Sequence, residues 1–387
     1  MGKTLDIVPA TAQDYRLRAE KRLPRFLFDY LDGGANDELT LAANVGDFSK
    51  VRLRQRVLRD VSQIDTSTMF AGEPVSMPIA LAPIGLAGMM ARRGEAQAVR
   101  VANAAGLPFT LSTVGICSVG EVKAAANKPF WFQLYMIRDR VAVKSLLDRA
   151  LAAGCTTLVF TVDLPVTGMR HRDTRNGMLT HSLRGKLGKA RQLVARPGWI
   201  HDVALRGKPH TFGSLTELVP NATDLNAFKA WIDAQFDASV TWTDIQWLRS
   251  IWPGKLLLKG ILEVDDALSA VAIGVDGVVV SNHGGRQLDS VASTISKLPA
   301  ISEAVGKRLE IYLDGGVRSG VDVFKAMALG ARGVFIGRPW IWALAGGGAI
   351  GLGALLDTFR REFEIAMTLT GVTRVSDITK ELIDPTQ

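Results

Sequence analysis

Short, almost continuous apolar runs recur along the chain from residue 79 onward. They are rich in β-branched and aromatic residues, and several follow Ala-rich helical stretches that close with glycine, such as VANAAG and RALAAG. Uninterrupted apolar runs are typical of parallel strands buried on both faces, and glycine is a common helix C-cap. The runs occupy residues 79–83, 108–112, 130–135, 157–163, 256–260, 277–285, 310–316 and 333–339. Eight strands that alternate with helices predict an α/β fold, a (β/α)8 TIM barrel.

The spacing of the strand ends indicates where the barrel carries extra chain. Markers from Pro83 to Gly337 are separated by 29, 23, 28, 96, 22, 33 and 23 residues. The long fourth interval predicts an insertion at about 170–240, in the fourth βα loop. Residues 1–60 have the pattern of short helices, which we expect to cap one end of the barrel. We interpret residues 1–387 as a single domain, with the barrel over residues 61–387.

Composition excludes several classes of protein. Of the 387 residues, 47% are hydrophobic and 22% charged, values of an ordinary globular chain that exclude disordered, collagen-like and coiled-coil proteins. The two cysteines provide neither a disulfide framework nor a Cys-rich metal site, and we expect no metal. The N-terminus lacks the apolar run of a secretory signal. The longest uncharged run, residues 339–356, contains five glycines, and we interpret it as the eighth loop and helix of the barrel.

The positive charge is concentrated in one segment. Residues 170–210 contain ten Lys or Arg and two acidic residues, which account for the whole net charge of +8, and four of the five histidines. Apolar residues are interleaved with these cations, namely Leu179, Leu183, Leu187, Leu193, Val194, Trp199 and Ile200. The mixture favours contact with an anionic membrane surface through residues 170–210, and a solvated loop over the active site is the alternative. Because no nucleic-acid-binding motif accompanies the charge, we expect no nucleic acid partner.

Polar residues follow the strands at the barrel end where active sites form. Lys259 and His283 come directly after apolar strands, where burial without a partner would be costly. A histidine can accept a proton near neutral pH, and the Arg286 guanidinium can hold a carboxylate beside it. We expect Asp163 to hydrogen-bond the imidazole and Arg170 to supply a second cation. These residues suit a substrate that loses a proton next to a carboxylate.

The last two strands end in DGGVRSG and IGRP. Glycines beside Arg318 and Arg338, after strands seven and eight, form a common phosphate site in barrels. A phosphorylated substrate and a phosphate-bearing cofactor fit this pattern equally well. The alternative is that these glycines only form turns and bind no ligand.

The string SNHGGRQLD resembles the active-site signature of the FMN-dependent α-hydroxy-acid dehydrogenases and oxidases. Further strings resemble the family's in the same order, namely LPRFLFDYLDGGANDELTL, LAPIGLAGM, RRGE, PFTLSTV, WFQLY, FTVDLPVTGMRHRD, LLLKG, LDGGVRSG and FIGRP. Together they extend over nearly the whole chain. ARRGE and FTVDLPVTGMRHRD look most like the bacterial membrane-associated L-lactate dehydrogenases.

The resemblance implies FMN as cofactor and a role for each strand-end residue. His283 would be the base, paired with Asp163, and Lys259 would place positive charge near the flavin N1 and C2 carbonyl. The catalytic residues would be His283, Asp163, Tyr135 and Lys259. The substrate-binding residues would be Tyr30, Tyr135, Arg170 and Arg286. Besides Lys259, the cofactor-binding residues would be Pro83, Ile84, Gly85, Ser112, Gln133, Thr161, Ser281, Asp314, Gly315, Gly316, Arg318, Gly337 and Arg338. The phosphate would lie on Gly316, Arg318, Gly337 and Arg338.

The implied reaction is oxidation of an L-2-hydroxy acid, foremost L-lactate to pyruvate, with electrons passed to a membrane quinone or cytochrome. The resemblance also implies a homotetramer bound peripherally to the cytoplasmic face of the bacterial inner membrane. An oxidase that uses oxygen and a mandelate-type dehydrogenase are the alternatives within the family.

Two departures from the family pattern concern the pocket wall. Val114 stands where some oxidases carry tryptophan, which makes glycolate a poorer candidate. Gly85 stands where many oxidases have alanine, which predicts more room near the flavin N5. Outside the family, a Schiff-base aldolase on Lys259 and a non-catalytic barrel that docks on membranes are the other hypotheses.

Overall fold

In the computed structural model the described residues are 8–176, 183–218 and 234–385. Their strands begin with an antiparallel hairpin of β1 (Thr68–Phe70) and β2 (Glu73–Val75). The barrel strands are β3 (Ile79–Leu81), β4 (Thr110–Ser112), β5 (Trp131–Leu134), β6 (Thr157–Thr161), β7 (Lys255–Ile261), β8 (Gly277–Val280), β9 (Glu310–Leu313) and β10 (Gly333–Ile336).

The eight barrel strands are parallel and lie in sequence order. β10 pairs with β3, and an isolated parallel bridge between Leu81 and Phe109 links β3 to the segment entering β4. β3, β4, β5, β6, β8 and β10 are buried at every position, as expected of strands that side chains cover on both faces. The predicted TIM barrel is confirmed.

Helices surround the barrel and precede it. The α-helices are Ala12–Arg22, Arg25–Asp32, Leu39–Gly46, Ala87–Met90, Gly94–Ala105, Val119–Ala125, Arg140–Ala152, His171–Arg175, Leu183–Val194, Pro197–Trp199, Trp242–Ile251, Val264–Ile273, Thr294–Val305, Gly320–Ala328 and Arg338–Thr370. A π-helix spans Ile200–Leu205, and 3-10 turns span Asp47–Lys50, Val375–Asp377 and Lys380–Leu382. Capping side chains define several starts, as where Ser118 accepts from the Glu121 amide at 3.2 Å.

The β1–β2 hairpin, which the sequence pattern does not predict, inserts an aromatic side chain into the barrel interior. Phe70 stacks on Tyr312 with ring centroids 4.2 Å apart and lies 5.4 Å from the rings of both Trp131 and Phe335. These rings are fully or almost fully buried. The interior is therefore a packed core below the site, as in other TIM barrels.

The N-terminal helices pack over the end of the barrel that carries the strand C-termini. Asn44 and Asn282 exchange two side-chain hydrogen bonds of 2.8 and 2.9 Å. The Arg286 side chain donates to the carbonyl oxygens of Tyr30 and Gly33 at 2.6 and 2.9 Å. The predicted helical cap is thus confirmed, and it covers the end of the barrel where active sites form.

The insertion in the fourth βα loop has an exposed part and a packed part. Leu183, Leu187 and Val194 are exposed, whereas Trp199 is 4% exposed and donates to the Met89 carbonyl at 2.8 Å. Trp199 therefore belongs to the core, and its predicted place among the membrane-facing residues is wrong. Leu179 lies outside the described residues.

One described helix, Arg338–Thr370, is long and apolar enough to cross a membrane by length and composition alone. Of its most apolar stretch, 61% is buried inside the protein, and non-helical angles at Gly348 divide the helix. Burial against the barrel agrees with its interpretation as the eighth loop and helix.

Candidate active site

A large cavity opens at the C-terminal ends of the strands. Its volume is about 1560 Å³, more than the roughly 300–1,000 Å³ of a typical small-ligand pocket. The predicted site residues that line it are Tyr30, Pro83, Ile84, Gly85, Tyr135, Thr161, Arg170, Lys259, His283, Arg286, Asp314, Gly315, Gly316, Arg318, Gly337 and Arg338. The barrel therefore brings together residues that lie up to 308 positions apart in the sequence.

The other four predicted residues, Ser112, Gln133, Asp163 and Ser281, lie behind the lining. Three polar residues on neighbouring strands form a hydrogen-bonded row in which Ser112 donates to the Gln133 side-chain oxygen at 3.0 Å. The Gln133 amide in turn donates to the Thr161 hydroxyl at 3.1 Å. This row fixes the amide orientation of Gln133, because its oxygen accepts on one side and its nitrogen donates on the other.

His283 and Asp163 form a close pair. Nδ1 of the imidazole lies 2.7 Å from Oδ1 of Asp163, so Nδ1 carries the hydrogen and Nε2 is the acceptor. Gln287 holds the Asp163 carbonyl with a 2.8 Å hydrogen bond, and the His283 amide donates to the Ser281 hydroxyl at 3.1 Å. His283 has a left-handed backbone, with φ of +57°, which is uncommon for a residue other than glycine. The backbone is held in a sparsely populated conformation at the residue best suited to proton transfer.

Electrostatics keeps this imidazole neutral and its partner charged. Burial lowers the pKa of His283, and the opposing effect of Asp163 does not fully offset it, while Lys259 and Arg286 lower the pKa further. Burial acts to raise the pKa of Asp163, but the attraction of His283 and Lys259 outweighs it, so that pKa is lowered. The pair combines a free base with a fixed carboxylate that stabilises the protonated form of that base.

Lys259 is a buried cation at the base of the cavity. It is 4% exposed, and its Nζ lies 2.9 Å from Oδ2 of Asp314 and donates to the Ser281 hydroxyl at 3.0 Å. Burial acts to lower the pKa of Lys259, but Asp314 and Asp163 raise it above its usual value. The ammonium therefore stays charged, which opposes the use of Lys259 as a Schiff-base nucleophile, since that chemistry needs a neutral amine.

Two guanidinium groups stand over one tyrosine ring. Arg286 lies 5.0 Å and Arg170 5.6 Å from the ring centroid of Tyr30. Burial, together with repulsion by Arg170, lowers the pKa of Arg286 to about 10. The Arg170 Nε lies 3.6 Å from a carboxylate oxygen of Asp173. Two cations next to a single carboxylate favour binding of a further anion.

Tyr135 completes this part of the cavity. Burial raises the pKa of its hydroxyl above the usual value, so the phenol stays protonated and can donate a hydrogen bond. Its ring lies 5.2 Å from that of Phe236, a residue at the end of the insertion.

The loops after β9 and β10 form a cationic, glycine-lined end of the cavity. Gly315 and Gly316 have φ of +85° and +87°, and a Cβ on Gly316 would lie 1.8 Å from the Asn44 carbonyl oxygen. Arg318 packs over the Trp342 ring at 5.0 Å, and Arg338 donates to three backbone carbonyls. Within the described residues, neither arginine forms an ion pair with a carboxylate.

Burial dominates the electrostatics of these two arginines. It lowers the pKa of Arg318 to about 10 and that of Arg338 well below its usual value. An anion placed between them would offset this penalty. Arg338 also begins the helix Arg338–Thr370, whose N-terminus favours negative charge.

The wall after β3 and β4 differs from the expectation at Gly85. A Cβ on Gly85 would lie 2.7 Å from Cγ2 of Val114, so valine already fills the space that the missing methyl group leaves. The Leu86 amide also donates to the Val114 carbonyl at 3.0 Å. The prediction of more room near this residue is therefore wrong.

The outer part of the cavity contains residues that the sequence pattern did not identify. They come from the N-terminal helices, from helix Ala87–Met90 after β3 and from the insertion, and include Phe26, Met89, Lys208, His210, Phe212 and Phe236. For Lys208 and His210, the available signal was the clustering of Lys and His between residues 170 and 210. Met89 ends the string LAPIGLAGM and Phe26 lies in LPRFLFDYLDGGANDELTL, but an apolar residue in these strings does not stand out as a lining residue. Phe212 and Phe236 stand in no motif, so periodicity could not assign them.

Residues 19–385 match the family model described as FMN-dependent dehydrogenase. The chain belongs to the FMN-dependent dehydrogenase family. An L-lactate dehydrogenase of Caulobacter vibrioides is 52% identical to this family member over 380 residues, 97% of this chain and 98% of that protein. An L-lactate dehydrogenase of Alcaligenes faecalis is 49% identical over 377 residues, 97% and 99% of the two chains.

Solved structures place this FMN-dependent dehydrogenase near enzymes named for mandelate. The monotopic membrane protein (S)-mandelate dehydrogenase superposes with a TM-score of 0.91 at 33% identity, covering 97% of this chain and 99% of that one. A mandelate oxidase superposes with a TM-score of 0.82 at 35% identity, covering 97% and 98%. The predicted family and its oxidoreductase class are confirmed.

The cofactor of this family is FMN, and the cavity fits it. The glycines at 315 and 316 and the unpaired charges of Arg318 and Arg338 suit a phosphate. Lys259, charged at the base of the cavity, suits an electron-rich ring. The residues present therefore match both ends of the cofactor in charge.

Proposed function

We propose that this enzyme oxidises an L-2-hydroxy acid, foremost L-lactate, to the corresponding 2-keto acid. The observation that carries the proposal is the 2.7 Å contact between Nδ1 of His283 and Oδ1 of Asp163, in the same cavity as the paired guanidiniums of Arg170 and Arg286. A base next to a carboxylate-binding pair is what a 2-hydroxy acid requires. Relatives near 50% identity that are named L-lactate dehydrogenase support the choice of substrate.

In this proposal the arginines bind and orient the substrate. Arg286 is held by two backbone carbonyls, so its guanidinium is fixed before the substrate arrives, and Arg170 adds the second cation. Hydroxyl groups of Tyr30 and Tyr135 donate hydrogen bonds to the bound acid. Preorganised donors of this kind lower the cost of fixing the substrate in a reactive position.

Proton transfer falls to His283. Its Nε2 accepts the proton of the substrate hydroxyl, and Asp163 stabilises the imidazolium that forms. When bound, FMN would supply the acceptor for the two electrons and for the hydrogen that leaves the hydroxyl-bearing carbon. Lys259 holds positive charge at the base of the cavity and donates to Ser281, and Ser112, Gln133 and Thr161 form the polar row behind the lining.

The remaining cofactor contacts are assigned from the same geometry. We propose that Gly316, Arg318, Gly337 and Arg338 bind the phosphate, with Asp314 and Gly315 beside them, and that Pro83, Ile84 and Gly85 line the opposite wall. An aldolase on Lys259 has less support, because its ammonium is held in the charged form by Asp314.

A mandelate-type dehydrogenase is the second candidate. The similarity to (S)-mandelate dehydrogenase and the large cavity favour it. The test is anaerobic bleaching of the flavin band by L-lactate, D-lactate and (S)-mandelate in the parent protein and in His283→Gln. We expect L-lactate to bleach the parent and none of the three to bleach the variant, which should keep its flavin. Bleaching of the variant at the parent rate would contradict the role of His283.

We propose a membrane quinone or cytochrome as electron acceptor and peripheral attachment through residues 170–210. The similar (S)-mandelate dehydrogenase is described as a monotopic membrane protein. In helix Leu183–Val194 the exposed apolar residues are Leu183, Leu187 and Val194, and exposed cations lie between them in the sequence. Each cation near anionic lipid contributes about 1 kcal/mol to the free energy of membrane binding. This exposed face supports attachment to a lipid surface.

Cosedimentation with anionic vesicles tests the attachment. Leu187 is 66% exposed, and Leu187→Glu should reduce the bound fraction because it removes apolar area and adds a repelled charge. Val141→Glu, at an exposed position of helix Arg140–Ala152, is the matched control and should bind like the parent. Equal binding by all three proteins would assign attachment to another surface.

The assembly and location are also proposals. We propose a single-domain chain that forms a homotetramer on the cytoplasmic face of a bacterial inner membrane, as the family resemblance implies. Sedimentation equilibrium of the detergent-solubilised holoenzyme should give four times the 41.8 kDa mass of the chain. A monomer at micromolar concentration would contradict the tetramer.

A further inference from the structure

Glu95 is a buried carboxylate that the proposed reaction does not use. It belongs to the RRGE string and lies in the first turn of helix Gly94–Ala105. The residue is 1% exposed, and within the described residues no cation forms an ion pair with it. Burying a carboxylate without a cation is costly, and within the described residues only one of its oxygens, Oε1, is hydrogen-bonded, so the partners of that oxygen indicate what it does.

Those partners are two backbone amides, one in the helix Ala87–Met90 that directly follows the loop after β3 and one in the connection after β4. Oε1 of Glu95 accepts from the Gly88 amide at 3.1 Å and from the Ile116 amide at 2.8 Å. Gly88 follows the loop of residues 83–86 after β3, and Ile116 follows the loop of residues 113–115 after β4. Residues of both loops line the cavity, among them Pro83, Ile84, Gly85 and Val114. One oxygen atom therefore ties together the two loops that form one wall of the site.

The two loops meet without space for a side chain between them. A Cβ on Gly88 would lie 2.6 Å from Cβ of Ile116, just as one on Gly85 would lie 2.7 Å from Val114. Because the contact is this close, a shift of either loop moves the cavity wall directly. Helix geometry favours the carboxylate here, since the first turn of a helix attracts negative charge.

The same helix start also connects the wall to the insertion. The Arg93 guanidinium donates to the carbonyls of Gly207 and Pro209 at 3.3 and 2.9 Å. The Gly213 amide donates to the Gly115 carbonyl at 3.1 Å. The segment around residues 207–213 is thus anchored to the loops that Glu95 joins.

We propose that Glu95 is a positioning residue, which fixes the loops after β3 and β4 against each other and so sets the wall formed by Gly85 and Val114. The inference rests on the function proposed above, because that wall faces the reacting groups only if the cavity is the catalytic site. Misplacing such a wall by about 1 Å lowers a rate by as much as on the order of a hundredfold.

The test compares three substitutions in the purified holoenzyme. Glu95→Gln keeps an acceptor oxygen in place and should reduce its flavin close to the parent rate. Glu95→Ala removes the acceptor and Glu95→Asp withdraws it by one methylene, so both should slow anaerobic flavin reduction by about tenfold or more. If Glu95→Ala does not fold, the ratio of the flavin reduction rates of Glu95→Gln and Glu95→Asp tests the proposal instead.

Glu73 supplies the matched control. Its carboxylate also accepts two hydrogen bonds, from the Trp131 indole at 3.0 Å and from the Thr156 hydroxyl, but it lies in the β1–β2 hairpin, away from the cavity. Glu73→Ala should lower the melting temperature and leave the reduction rate unchanged. A loss of rate in Glu73→Ala equal to that in Glu95→Ala would reduce Glu95 to a structural role and overturn the proposal.

Visible circular dichroism of the bound flavin separates this inference from the proposed function. We expect Glu95→Asp to change the flavin signal and Glu95→Gln to retain it, whether or not any hydroxy acid reduces the flavin. A parent enzyme that no hydroxy acid bleaches would overturn the proposed function alone. Unchanged dichroism and unchanged rates in Glu95→Asp would overturn the positioning role alone.

Discussion

Replacing Asp163 by asparagine removes the charge behind His283 while keeping the size of the side chain. The 2.7 Å contact from Nδ1 to Oδ1 is a hydrogen bond that becomes charge-assisted when the imidazole is protonated. Hydrogen bonds to charged groups contribute about 1.5–3 kcal/mol, and each ~1.4 kcal/mol of barrier is a factor of ten in rate. We therefore expect the maximal rate of flavin reduction to fall by roughly ten- to 150-fold.

The pH profile should change in a second, independent way. Burial lowers the pKa of His283 and Asp163 partly opposes this, so loss of the carboxylate lowers that pKa further. A base must be neutral to accept a proton, and activity is lost as the pH falls through its pKa. In the pH profile of flavin reduction, the rate of Asp163→Asn should thus decline on the acid side at a lower pH than the rate of the parent. Its maximal rate is lower as well.

Stopped-flow bleaching of the flavin by saturating L-lactate, between about pH 5 and 8, measures both effects. Asp148→Asn is the matched control, because Asp148 forms an exposed surface pair with Lys144 at 2.8 Å, which contributes little. An unchanged plateau in Asp163→Asn, or an acid limb displaced to higher pH, would refute the reasoning.

Three other substitutions test the rest of the site. Lys259→Met leaves Asp314 buried without its cation, which should lower the free energy of unfolding by about 3–5 kcal/mol and so lower the melting temperature markedly. An unchanged melting temperature would contradict the pairing. Gly316→Ala forces a methyl group to 1.8 Å from the Asn44 carbonyl at a φ of +87°, so the purified protein should lack flavin absorbance. Arg338→Met should weaken FMN binding in a fluorescence titration, and equal affinity would remove Arg338 from the phosphate site.

The barrel and most of the site follow from the sequence because strand burial and strand-end polarity are local signals. Lys259 and His283 each stand directly after an apolar run, so pattern alone indicates that they lie at the same end of the barrel. The hydrogen-bonded pairing of His283 with Asp163 needs the closed barrel, but the topology makes it an expected contact.

The features that escaped prediction depend on contacts between distant segments. β1 and β2 have three residues each, too few for a periodic signal, and Phe70 finds its partners only inside the closed barrel. Trp199 looked like a membrane anchor among cations, yet tertiary packing buries it against Met89. The space near Gly85 was misjudged because Val114, 29 residues later, occupies it.

The measurement that tests the central claim most directly is the visible spectrum of the purified protein under anaerobic conditions, before and after addition of L-lactate. We expect a flavin band that L-lactate bleaches and D-lactate does not, because the proposed contacts with Arg170, Arg286 and His283 would accept one handedness and the relatives are named for the L form. A band that (S)-mandelate bleaches and L-lactate does not would keep the site chemistry and change the substrate. A protein that shows no flavin band even after FMN is supplied would contradict the account.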